Sequence, residues 1–127
     1  MTIKEVCEQF NISADTIRYY ERVGVIPPVN RNASGIRQFT EEDLGWLQTM
    51  TCFRGAGMPI EMLIEYRKLF EMGDETISAR CELLKAARQK ILEEMERHQK
   101  AIDKLNYKIA RYEEACVTGK LVWEKEE

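Results

Sequence analysis

The sequence predicts a mainly α-helical protein in two parts, and three observations lead there. All three prolines and six of the seven glycines fall within residues 1–73, cutting that segment into pieces too short for a long helix. From Asp74 to about Ala115 there is neither glycine nor proline. Over the same stretch apolar side chains recur at heptad spacing. The expected organisation is a folded headpiece (1–73), one long helix (74–116) and a short C-terminal tail (117–127).

Each element has local causes. Thr2 caps a first helix, Ile3 to Phe10, with Ile3, Val6, Cys7 and Phe10 on one face. Asn11 and Ile12 break it, and Ser13 caps a second helix from Ala14 to about Val23, stopped by Gly24. Two short helices joined by a tight turn form a helix-turn-helix. Pro27 and Pro28 force an extended exit, and Ser34-Gly35 stands between two short runs as a β-ribbon, or wing, requires. Thr40 with Glu41, Glu42 and Asp43 opens a third helix that runs to Gly55. Pro59, at the first helical position, and Glu61 open a fourth, which ends near Gly73. The fold class is therefore mainly α, a winged helix-turn-helix headpiece followed by a long dimerisation helix.

In the long helix Cys81, Arg88, Met95, Ile102, Ile109 and Cys116 occupy one heptad core position. Ile77, Leu84, Ile91, His98, Leu105 and Tyr112 occupy the other. A lone chain cannot cover that seam, and a headpiece of this size is near the lower limit for a self-sufficient core, so a homodimer is expected. Parallel pairing would set Arg88 against Arg88 and His98 against His98, which favours an antiparallel coiled coil. The competing arrangement folds the helix back on its own headpiece or joins another protein as an adaptor without DNA binding.

Composition narrows the function. With 19 basic and 22 acidic side chains the net charge is −3, so DNA contact must come from locally placed arginines rather than a bulk positive field. Five of the six basic residues before Met58 are arginine. No run approaches the roughly 18 apolar residues of a membrane span, and Glu5 and Glu8 stand where a signal peptide has its apolar core. A soluble cytoplasmic protein with no membrane partner is expected. The four cysteines are too dispersed for a Cys-x-x-Cys motif, so reduced thiols, no metal site and no cofactor are expected. One histidine, no Gly-rich phosphate loop and no nucleophile–base grouping argue against an enzyme, and no catalytic residue is assigned.

The run Ser13-Ala14-Asp15-Thr16-Ile17-Arg18-Tyr19-Tyr20-Glu21-Arg22-Val23-Gly24-Val25-Ile26-Pro27-Pro28 resembles the recognition segment of the MerR family of transcription regulators. The resemblance continues through Ser34-Gly35-Ile36-Arg37-Gln38-Phe39 and Glu41-Glu42-Asp43-Leu44, and resumes at Gly57-Met58-Pro59-Ile60-Glu61. It implies a homodimer joined by an antiparallel coiled coil, which binds double-stranded DNA at a pseudo-palindromic promoter element and distorts it so that RNA polymerase can initiate. It also implies DNA contacts from Arg18, Tyr19, Tyr20 and Arg37, with Thr16 facing the same groove. Guanidinium forks suit phosphate or guanine, and a tyrosine hydroxyl suits phosphate. Beside this stands the plainer reading, in which Tyr20 is core and Arg18 pairs with Asp15 or Glu21 on its own helix.

Cys52, with Glu82-Leu83-Leu84-Lys85 and Asn106-Tyr107-Lys108-Ile109-Ala110-Arg111-Tyr112, looks like the AdhR/NmlR branch of that family. The branch implies a thiol sensor at Cys52 that responds to reactive aldehydes or other thiol-directed electrophiles. On a helical wheel Leu44, Leu47, Met50 and Thr51 cluster, while Cys52 lies off that stripe beside Gly45 and Gln48, so partial exposure is expected. The C-terminal end of its helix disfavours a thiolate, whereas N–H groups around Gly57-Met58-Pro59 could favour one. The alternatives are a small buried cysteine, or a metal- or small-ligand-responsive regulator with an inter-subunit site where Cys81 of one chain approaches Cys116 of the other. Core packing suffices for Cys7, Cys81 and Cys116, and His98 reads as a register-setting contact.

Overall fold

The computed structural model describes residues 1–123; the last four residues of the expected tail, 124–127, lie outside the described residues. Among the described residues five α-helices follow one another: α1 (Ile3–Phe10), α2 (Ala14–Val23), α3 (Glu41–Gly55), α4 (Ile60–Glu71) and α5 (Ile77–Thr118). A single 3-10 turn, Asp74–Thr76, precedes α5. Among the described residues no helix is long and apolar enough to cross a membrane.

The caps explain the boundaries. Thr2 and Glu5 form a reciprocal capping box at α1, and Thr40 and Asp43 form another at α3. Ser13 accepts the Thr16 N–H at the start of α2. Asn11 ends α1 in the left-handed region, at φ 53°, and Gly24 ends α2 there, at φ 93°. Pro59 serves as the N-cap of α4 rather than its first helical residue.

By compactness the chain forms two units. The first, Met1–Ala87, contains the headpiece and the opening turns of α5. Its core is built from fully buried Val6, Ile17, Val25, Ile26, Leu47, Met50 and Leu63, contributed by α1 to α4 and the segment after α2. Of the expected α1 stripe only Val6 is fully buried; Ile3, Cys7 and Phe10 are half-buried. Arg67 of α4 is also buried, with its guanidinium 4.6 Å from the centroid of the Trp46 ring and an ion pair to Glu71. At the α4–α5 junction the Thr76 hydroxyl lies 2.5 Å from the Leu69 carbonyl oxygen and 2.8 Å from that of Gly73, and accepts from Arg80 Nε at 3.0 Å.

The wing is more compact than a β-ribbon. Among the described residues its pairing is one antiparallel bridge, Arg31 with Arg37. Backbone bonds from the Asn32 N–H to the Ile36 carbonyl and from the Gln38 N–H to the Asn30 carbonyl flank the bridge, and within the loop Asn32 Oδ1 accepts the N–H groups of Ser34 and Ile36. Ala33 and Ser34 are the central turn residues, closed by the Gly35 N–H on the Asn32 carbonyl, and Gly35 follows at φ 81°. The Ser34-Gly35 pair is thus displaced by one residue from the expected turn centre.

The second unit begins at Arg88. Along it Met95, Ile102, Leu105, Ile109 and Tyr112 are about half exposed or more, and they are the residues of the heptad seam. Gly119, at φ 78°, turns the chain after α5, and Trp123 packs edge-on against Tyr112 at 5.7 Å with Lys108 Nζ 4.4 Å from its ring centroid.

Candidate nucleic-acid interface

Helix α2 exists at this place because Ser13 starts it, Gly24 stops it, and Ile17 and Tyr20 anchor one side in the core. What remains outward is cationic and aromatic. Arg18 is exposed and bonds Asp15 Oδ1 at 3.1 Å, an i,i+3 surface pair that dissociates at little cost. Tyr19 is exposed and carries the Arg22 guanidinium 5.3 Å from its ring centroid. Thr16 is half-buried, its hydroxyl 2.7 Å from Ser13 Oγ at the helix start.

Tyr20 is placed differently from the other resemblance-derived residues. It is only 6% exposed, and its carbonyl gathers the N–H groups of Gly24, Val25 and Ile26. Burial pushes its phenol above the ordinary tyrosine range, against the opposing charge of Arg54. The ring is packed in the headpiece core.

The wing is fastened to α2 by one carboxylate. Glu21 Oε1 accepts from Arg37 Nε at 2.7 Å, and Glu21 Oε2 accepts the Val29 N–H at 2.9 Å. Burial alone would raise the Glu21 carboxyl, but the Val29 N–H and Arg37, with Arg31 behind them, hold it below the usual carboxylate range. Arg31 in turn closes the wing by donating from Nη1 to the Gly35 carbonyl at 2.8 Å. The structure therefore brings the Arg37-bearing wing against the helix that carries Arg18 and Tyr19.

Three further cations belong to this region. Arg22 stands one turn beyond Arg18 on α2, and that spacing was visible in the sequence. Arg31 is exposed in the wing. Arg54, exposed at the end of α3, donates to the Met58 carbonyl at 3.1 Å and its charge is felt by the Tyr20 phenol. Nothing local signals that last proximity, because it joins elements more than thirty residues apart.

Cys52 is exposed in the last turns of α3, off the stripe whose Leu47 and Met50 are buried. The N–H groups expected near it are otherwise engaged: those of Ala56, Gly57 and Met58 bond the carbonyls of Cys52, Arg54 and Phe53. They cap α3 and are not offered to the thiol. Cys7 is half-buried, and Cys81 and Cys116 are exposed on α5. Among the described residues no cluster of three or more His, Cys, Asp or Glu is placed to hold a metal ion.

Comparison with known proteins gives concordant findings. Residues 1–69 match the model of the MerR HTH family regulatory proteins. The chain is 52% identical over 93 residues to the HTH-type transcriptional regulator AdhR of Bacillus subtilis, an overlap of 73% of this chain and 66% of that protein, just under two thirds of its length. Its structure is similar to that of a MerR family transcriptional regulator from Listeria monocytogenes, with TM-score 0.88 and 45% identity, covering 94% of this chain and 90% of the other. It is similar also to HiNmlR, a MerR family regulator lacking the sensor domain and bound to promoter DNA, with TM-score 0.86 and 31% identity, covering 94% of this chain and 95% of that one.

Proposed function

This chain belongs to the MerR family of helix-turn-helix regulatory proteins, and from that premise we propose that it binds a pseudo-palindromic promoter element as a homodimer, distorts it, and responds to reactive aldehydes or thiol-directed stress through Cys52. The observation that carries the DNA-binding part is the fastening of the wing to α2, which sets Arg18, Tyr19 and Arg37 on one compact headpiece. Arg18 and Arg37 serve phosphate or guanine as bidentate donors, Tyr19 packs on sugar and bonds phosphate, and Thr16 stands beside them. Tyr20 contributes through its backbone and core ring. Two such headpieces read half-sites on one face of the duplex, about 34 Å or a multiple apart, and the DNA between them is read through its deformability. RNA polymerase is then the downstream partner, and the cytoplasm is the place of action.

Dimerisation is supported by the half-exposed seam of α5, which segment 74–116 buries by antiparallel pairing. Sensing is supported by an exposed thiol at the α3 terminus in a chain half identical to AdhR over its matched length. The Cys52 sulfur, as thiolate, adds to the aldehyde carbonyl carbon; the C–S bond forms as the C=O π bond opens, and the resulting oxygen takes up a proton. The adduct enlarges the α3 terminus beside Arg54 and Met58 and so shifts how the headpiece sits on DNA.

The test begins by letting the wild-type protein select duplexes from a random-sequence pool. On the selected duplex, Arg18→Ala is expected to lower affinity about tenfold or more. Cys52→Ser is expected to bind as wild type while losing the change that methylglyoxal or formaldehyde produces. An unchanged aldehyde response in that variant removes the sensor.

A further inference from the structure

A carboxylate sits where, by charge alone, a DNA-binding surface would do better without one. Glu21 lies on α2 between Tyr20 and Arg22, its side chain is only 15% exposed, and both of its oxygens are engaged. Its two partners stand on opposite legs of the wing: Val29 before the Arg31–Arg37 bridge, and Arg37 at the far side of it. One side chain therefore pins both legs to the helix. Arg37 spends only its Nε in this contact. Among the described residues no other hydrogen bond or ion pair reaches its guanidinium, and the Arg37 side chain keeps 18% of its surface exposed. The outer edge of the fork, with its four N–H bonds, is left for an acceptor outside the chain.

We propose that Glu21 is a positioning residue for DNA binding, which holds Arg37 by its Nε edge so that the terminal nitrogens meet a phosphate while the wing keeps register with α2. This rests on the DNA-binding reading above and deepens it. An arginine held along one edge arrives at the phosphate already oriented, so little rotamer freedom is lost on binding. Glu21 itself touches no DNA; it acts through Arg37.

The proposal makes a prediction that runs against simple electrostatics. Removing a negative charge from a DNA-facing element ought to tighten binding. Here Glu21→Ala is expected to weaken it about tenfold on the selected duplex, as Arg37→Ala does. The dependence of log K on log salt concentration is expected to flatten by about two in both variants, roughly 0.9 for the phosphate lost in each protomer of the dimer. The double variant Glu21→Ala/Arg37→Ala is expected to lose clearly less than the sum of the two single losses, because most of the first change acts through the second residue. Thermal unfolding of each variant guards against simple loss of fold. Should Glu21→Ala not fold, Glu21→Gln, which keeps one acceptor, is expected to shift affinity and slope in the same direction by less. Binding by either Glu21 variant as tight as wild type or tighter overturns the assignment, as does additivity in the double variant. Failure of the wild-type protein to select any duplex overturns the DNA-binding reading itself and is distinguishable from both.

Discussion

Glu21 also governs how the headpiece responds to acid. Its folded-state carboxyl lies below the usual carboxylate range, because the Val29 N–H and the Arg37 cation outweigh its burial. A depressed carboxylate contributes stability that is fully present above its unfolded value and is lost as pH falls through the folded one. As pH falls from neutrality through the carboxylate range the wild-type headpiece is therefore expected to lose more stability than Glu21→Gln, measured by urea unfolding at stepped pH. Single residues were unevenly legible. The Arg18–Asp15 pair is one that helix spacing announces. The Glu21–Arg37 pair crosses sixteen positions and depends on how the wing folds back, which no local pattern encodes. Arg67 is the sharper case: an arginine in a helix reads as solvated surface, yet it is buried because the Trp46 ring offers its guanidinium a π face.

Helix boundaries were the most legible feature, because they are written in side chains that act on their own backbone. Thr2, Ser13 and Thr40 each accept an N–H three residues on, and Gly24 supplies a positive φ that other residues rarely adopt. The Thr40 box is coupled to a buried carboxylate, since Asp43 Oδ2 takes the Thr40 N–H at 2.9 Å while Asp43 is only 7% exposed. Thr40→Ala is expected to destabilise the headpiece by about 1–2 kcal/mol, and Thr40→Ser by much less, read from denaturant midpoints at constant slope. The wing was legible as a reversal but not as a pairing pattern. Asn32 bonds two N–H groups through its side chain, and a propensity argument does not distinguish that loop from a ribbon. The engagement of the Gly57 and Met58 N–H groups by α3 was equally hidden, because it requires knowing how the α3–α4 loop closes.

At the level of the whole molecule, what matters is the row of exposed apolar side chains along the α5 seam. The heptad was plain in the sequence, but periodicity alone does not give strand number or direction; those belong to two chains. Ile102 lies near the middle of the seam, 48% exposed, and if the chain pairs as proposed, Ile102→Glu is expected to leave a monomer in sedimentation equilibrium. If the proposed antiparallel pairing holds, mild oxidation is expected to join Cys81 to Cys116 between chains, identified by peptide mapping; a Cys81–Cys81 link would mean parallel pairing. The half-bare seam carries a consequence for dosage. If only the paired form can span both half-sites, then at low copy number promoter occupancy rises with the square of the protomer level. A twofold change in synthesis would then change promoter occupancy about fourfold.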